Sequence, residues 1–184
     1  MPTTPPLLQN RPARPYVAIP LTVSMAQLPD VLPDLFAEAR SWAREHGAQV
    51  VGAPFVRYRA IGSGASAAPG VASGEFEVEA CVLLSTTSAQ ASSARVHADA
   101  RVCEGVLPPG TYATIVHTGP YSGLRAATAE LLAWGEANGV AWHRLDESRA
   151  ESWEARVESY LTDAVAQPDA AHWQTEIAFL TKES

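Results

Sequence analysis

Two stretches of the chain carry apolar residues at helical spacing. Leu28, Val31, Leu32, Leu35, Phe36, Ala39, Trp42 and Ala43 fall on one stripe, the repeat that turns one helix face inward. From about 121 to 138 the pattern returns, with Leu124, Ala127, Leu131 and Trp134 on one side. Asp30 is the expected N-cap of the first helix, which puts Pro33 in the first turn, where a missing N–H has no partner to lose. Gly47 and Gly139 follow the last turns and suit the left-handed conformation that ends a helix. A Trp stands five residues before each of these glycines, Trp42 in one case and Trp134 in the other.

Around the helices lie segments rich in β-formers: 16–25, 49–59 and 75–84, then 100–106, 112–118, 154–161 and 173–181. A Gly/Ser/Ala loop fills 62–74, and a polar run of small residues from 85 to 98 reads as a linker. Each half is thus strand, helix, strand, strand. Laying 76–80 over 173–177 puts Phe76 on Trp173 and Glu79 on Glu176. The expectation is an α+β fold in a single domain, a duplicated β-α-β-β module. Its first repeat spans about 14–85, its linker about 86–97 and its second repeat about 98–182. One helix per half covers only one sheet face. The two helices should therefore lie on one face of an antiparallel sheet, and the open face should curve into a ligand groove between the repeats.

Acidic residues inside these strands are the anomaly. Period-2 alternation sets Phe76, Val78, Ala80 and Val82 against Glu77, Glu79, Cys81 and Leu83. In 173–181 it sets Trp173, Thr175, Ile177 and Phe179 against Gln174, Glu176, Ala178 and Leu180. In 154–161, Glu158 and Tyr160 share a face with Arg156. Glu77, Glu79, Glu158 and Glu176 are therefore expected to converge on the open face. They would form an acidic floor for a cation, led by Glu176, beside aromatics drawn from Tyr58, Tyr112, Tyr121, Trp153, Tyr160 and Trp173. Aromatic faces add roughly 0.5–2 kcal/mol of cation attraction. The alternative is that these glutamates are solvated, or pair across strands with Arg57, Arg59 and Arg156. The turn Gly119-Pro120-Tyr121 would place Tyr121 at the groove rim, where strand 112–118 enters the second helix.

Composition narrows the chemistry. Thirteen basic and twenty acidic residues give a net charge of −7, without the Lys/Arg face that tracks phosphates, so direct nucleic-acid binding is not expected. No run approaches the roughly 20 apolar residues of a membrane span, and the N-terminus has neither the basic start nor the apolar core of a signal peptide. These features fit a cytoplasmic protein with no membrane association. Cys81 and Cys103 have no metal-ligand spacing and read as reduced thiols. The five histidines are scattered, and no nucleophile elbow or dinucleotide fingerprint occurs, so neither metal nor cofactor is expected.

The order of several segments resembles a known family. They are Phe76-Glu77-Val78-Glu79-Ala80, Leu107-Pro108-Pro109-Gly110-Thr111-Tyr112 and His117-Thr118-Gly119-Pro120-Tyr121-Ser122-Gly123-Leu124, followed by Glu158-Ser159-Tyr160-Leu161-Thr162-Asp163 and by Asp169 onward through Trp173-Gln174-Thr175-Glu176-Ile177. Together they resemble the GyrI-like effector-binding domains, which also form the C-terminal ligand-binding halves of MerR- and AraC-type multidrug regulators. The resemblance covers nearly everything from Arg14 to Thr181. It implies a hydrophobic groove between two repeats that accepts lipophilic, often cationic, compounds. The acidic anchor of that groove would fall on Glu158 or Glu176.

The first function implied is a stand-alone binder that senses or sequesters hydrophobic or cationic small molecules and passes a signal to a protein partner. The alternative is a hydrolase of strained electrophiles, with Glu176 activating water and Tyr121 or Tyr160 donating a proton. A third, carried by the family name, is inhibition of DNA gyrase. About 13 residues precede the first expected strand, too few for a DNA-reading domain. Segment 142–153 is longer than the family's usual connection and would cap the groove or decorate the surface.

Overall fold

The computed structural model describes residues 3–61, 74–86, 101–145 and 152–182. Its strands are β1 (Leu7–Arg11), β2 (Arg14–Ser24), β3 (Val50–Ile61), β4 (Glu75–Leu84), β5 (Cys103–Leu107), β6 (Gly110–Thr118), β7 (Ser152–Tyr160) and β8 (Gln174–Leu180). Helices α1 (Leu28–Glu45) and α2 (Leu124–Ala137) follow β2 and β6, with a 3-10 turn at Tyr121–Gly123 leading into α2. The strands form one sheet in the order β1-β6-β8-β7-β3-β4-β2-β5. All seven neighbouring pairs are antiparallel.

Residues paired directly across an antiparallel ladder share a face. One such row runs Ile19, Ala80, Val56, Glu158, Ile177, Ile115 across six strands. Leu32 and Phe36 of α1 pack on Val56, Val78 and Ala80. Leu124, Ala127 and Leu131 of α2 pack on Ile115, Ile177 and Phe179. Both helices therefore cover the same face, as expected. Burial of leucines such as Leu32 and Leu131 contributes roughly 1.5–3 kcal/mol each, which binds each helix to its own end of the sheet. The central strands β3 and β7 lie at the seam between them.

The opposite face is not an open groove. Arg11 and Arg14, three residues apart, belong to strands that stand first and seventh in the sheet. Three residues reach about 10 Å at most, whereas six strand spacings in a flat sheet amount to roughly 29 Å. The short step from Leu107 in β5 to Gly110 in β6 imposes the same requirement from the other edge. The sheet must curl until its edges meet at this end. Its concave side then fills itself: Tyr16, Ala18, Phe55, Cys81, Leu107 and Val157 form one buried cluster there. Tyr112, Ala155, Ala178 and Leu180 form another.

Three local expectations are corrected. The N-cap of α1 is Gln27 rather than Asp30, which sits within the first turn where its charge suits the helix dipole. Pro33 consequently falls in the second turn, where its missing N–H costs a helical hydrogen bond. Strand β1 was hidden because four of its five residues are exposed and show no alternation; backbone pairing to β6 holds it. Gly47 and Gly139, at φ 71° and 68°, end the helices as expected. The loop 62–73, the linker 87–100 and the segment 146–151 lie outside the described residues. Among the described residues, no helix is long and apolar enough to cross a membrane.

Candidate functional site

In the row Ile19-Ala80-Val56-Glu158-Ile177-Ile115, Glu158 is the one charged residue, and it lies at the seam between the helices. It is 5% exposed. The Tyr58 hydroxyl of neighbouring β3 donates a hydrogen bond of 2.9 Å to its Oε2. Burial pushes the Glu158 carboxyl above the usual carboxylate range, against the opposing pull of Arg156 and of the Tyr58 hydrogen bond. The Tyr58 phenol is raised well above its ordinary value, by burial first and then by the Glu158 charge. Tyr58 therefore stays a donor to the Glu158 carboxyl.

A chain of aromatic rings starts beside this carboxylate, at Tyr160 two residues along β7. Phe36 of α1 meets Tyr160 at 5.9 Å between centroids. Tyr160 meets Tyr121 at 5.3 Å, and Tyr121 lies 4.7 Å from Trp173. The expected trio Tyr121, Tyr160 and Trp173 is thus brought together, half-buried, on the helix side of the sheet. The Trp173 indole N–H donates to the Gln167 carbonyl at 2.7 Å, fixing the ring from outside. Gly119, at φ 135°, allows the turn that hands β6 to the 3-10 turn carrying Tyr121, and its N–H donates to the Trp173 carbonyl at 2.8 Å. Burial, aided by Asp163, raises the Tyr121 phenol as well.

The other expected carboxylates are elsewhere. Glu176 is opposite Ser159, one position off the Glu158 row, so it faces the concave side. There it pairs with Arg11 at 2.8 Å. Glu79 is opposite Arg57, also on the concave side. It accepts the Tyr16 hydroxyl at 2.9 Å and has Arg57 at 3.6 Å and Arg59 at 4.0 Å. Arg57 also donates to the Tyr16 hydroxyl. Glu77 is exposed. Tyr112 is buried on the concave side, its hydroxyl donating to the Pro108 carbonyl at 2.7 Å. The expected convergence of four glutamates on one face does not occur. A shift of one position between strands puts Glu158 under the helices and leaves Glu79 and Glu176 in cross-strand ion pairs. Glu176 and Tyr121, paired in the hydrolase expectation, are on opposite sides of the sheet.

Phe36, Phe76, Tyr58 and Arg156 adjoin these residues; the sequence offered Tyr58 as one of the groove aromatics, Phe36 and Phe76 as face-forming apolar positions, and Arg156 as a cross-strand partner of the glutamates. Phe76 meets Tyr58 edge-on at 6.1 Å. Tyr58 alternates in phase with Val56 along β3, the signal that could have placed it under α1. Among the described residues, no cluster of His, Cys, Asp and Glu could hold a metal ion.

Comparison with known proteins agrees with this architecture. The GyrI-like small molecule binding domain model matches residues 4–178. The EcmrR C-terminal domain superposes with a TM-score of 0.70 at 20% identity, covering 97% of this chain and 98% of that one. Against EcmrR in its DNA complex the TM-score is 0.73 at 20% identity, and the match spans 99% of this chain and 58% of that chain's length. SAV2435 bound to tetraphenylphosphonium matches at a TM-score of 0.54 and 12% identity, over 97% of this chain and 94% of that one. A hydrolase encoded by lin2189 from Listeria innocua matches at 0.58 and 13%, over 96% and 91%. No curated relative matches by sequence.

Proposed function

Because the chain belongs to the GyrI-like small molecule binding domain family, we propose that it binds lipophilic small molecules at the seam between α1 and α2, with Glu158 as the anchor for a cationic or hydrogen-bond-donating group. The two halves, read as repeats of one module, meet at this seam. The observation that carries the proposal is the placement of one buried carboxylate in an otherwise apolar row, beside Tyr160, whose ring begins the linked aromatic series Phe36, Tyr160, Tyr121 and Trp173. A buried carboxylate without a counter-ion in contact costs stability. A cation in the groove offsets that cost where water cannot weaken the attraction.

The structure of SAV2435 with tetraphenylphosphonium supports a lipophilic cation as the first ligand to try. Sensing or sequestration of xenobiotics in the cytoplasm, without direct nucleic-acid contact, is the role this chemistry serves. The test is a fluorescence and thermal-shift screen of lipophilic cations and neutral dyes. Trp173→Ala and Tyr121→Ala should weaken every ligand that binds. Unchanged affinity in both variants would place the site elsewhere.

One observation favours hydrolysis as a second reading. The Glu158 carboxyl, with its raised pKa, stands beside phenols that keep their protons, a pairing suited to water activation and proton donation. The lin2189 protein, described as a hydrolase, shares the fold. Recovery of chemically unchanged ligand after long incubation would exclude turnover of that ligand.

A further inference from the structure

The row beside that of Glu158 runs Leu21, Val78, Tyr58, Arg156, Phe179, Ala113. Arg156 is its one charged residue, as Glu158 is in the next row, and both project from β7 at the seam. The Arg156 guanidinium carbon lies 4.7 Å from the Tyr58 ring centre and 5.3 Å from that of Phe179. Tyr58 belongs to the core under α1 and Phe179 to the core under α2. The guanidinium thus bridges the two cores along the floor of the groove.

Arg156 is 8% exposed, and its Nε has no hydrogen-bond partner. Among the described residues no carboxylate lies within ion-pair distance of it. Arg57, the equivalent buried arginine of the concave side, has Glu79, Glu154 and the Tyr16 hydroxyl around it. Glu158 lies two residues along β7 on the same face, and Tyr58 contacts both, its ring against Arg156 and its hydroxyl on Glu158. The groove floor therefore presents a cation and an anion side by side without contact between them.

We propose that Arg156 is a second polar anchor of the groove, so that its preferred ligands are lipophilic molecules carrying an anionic or strongly accepting oxygen beside a cationic or donating group. This rests on the groove reading above. A monocation satisfies Glu158 but is repelled by Arg156. A zwitterion satisfies both. The guanidinium, with its fork of donors, suits a carboxylate, and its contacts with the flanking Tyr58 and Phe179 rings do not consume those donors.

Rhodamine B, a zwitterion, and its methyl ester, the corresponding cation, test this by fluorescence anisotropy with the full chain. Wild type should bind rhodamine B more tightly than the ester, and tighter binding of the ester would overturn the proposal. Arg156→Gln should weaken rhodamine B by about tenfold or more while leaving the ester unchanged or stronger. Arg156→Lys keeps the charge and should retain part of the preference. Equal losses for both dyes in Arg156→Gln would show that the arginine only packs between Tyr58 and Phe179. Failure of wild type to bind either dye would overturn the groove reading itself, and this one with it. Glu158→Gln weakening the ester more than rhodamine B would support both.

Discussion

The hydroxyl of Tyr58 on β3 reaches across the join between the two halves of the sheet and donates to Oε2 of Glu158 on β7, at 2.9 Å. This contact ties the two central strands together beneath the helices. It also gives a buried carboxylate one of the few donors available to it. Tyr58→Phe should cost about 1–3 kcal/mol, because a buried acceptor loses its partner. It should also raise the Glu158 pKa further, so cation affinity at neutral pH should fall. Denaturant unfolding and a cation titration of the same variant check both; a variant as stable as wild type would mean water replaces the phenol.

The raised Glu158 pKa has a consequence for stability. Its folded pKa lies above the unfolded value of 4.5. The native state therefore binds more protons than the unfolded state between those two values, and stability is lost as pH rises through them. Glu158→Gln removes this loss. The variant should melt higher than wild type at neutral pH, and the gap should close as pH falls below 4.5. A gap that persists unchanged across the range would mean Glu158 ionises like a solvated residue.

Much of this fold was legible in the sequence. The helical stripes, the glycines that end them and the alternating strands all follow from side-chain periodicity. The site was harder to read, because alternation divides a strand into two faces without saying which face a neighbouring strand matches. Glu79, Glu158 and Glu176 each sit on a correctly read strand. Register alone puts Glu158 level with Val56 and Ile177, and Glu176 level with Ser159. Nor does periodicity reveal the curl of the sheet, which follows from the strand order and two short connections. That curl buries Tyr112 and Arg57, and half-buries Glu79, on the side expected to be open.

Gly135 offers a test of packing away from the groove. A Cβ at this position would overlap the Trp142 ring, which lies against α2 and meets Phe179 at 5.6 Å. Alanine ordinarily stabilises a helix interior by about 1 kcal/mol over glycine. Here overpacking, at about 1–3 kcal/mol, should outweigh that gain. Gly135→Ala should therefore lower the denaturant midpoint. A raised midpoint would show that Trp142 is free to leave the helix.

The two sides of the sheet should respond differently to charge removal. Glu79→Gln and Glu176→Gln take away partners of Arg57 and Arg11 on the concave side. Both should lower thermal stability yet leave ligand affinity within about twofold, a change near the small end of what a charge contact produces. Loss of ligand by either variant, with stability intact, would move the site to the concave face.

The most direct measurement is a calorimetric titration of tetraphenylphosphonium into wild type and Glu158→Gln at neutral pH. Wild type should show a single site, and the variant a loss of about tenfold or more, equivalent to roughly 1.4 kcal/mol. Equal binding by the two proteins would contradict Glu158 as the anchor of the groove.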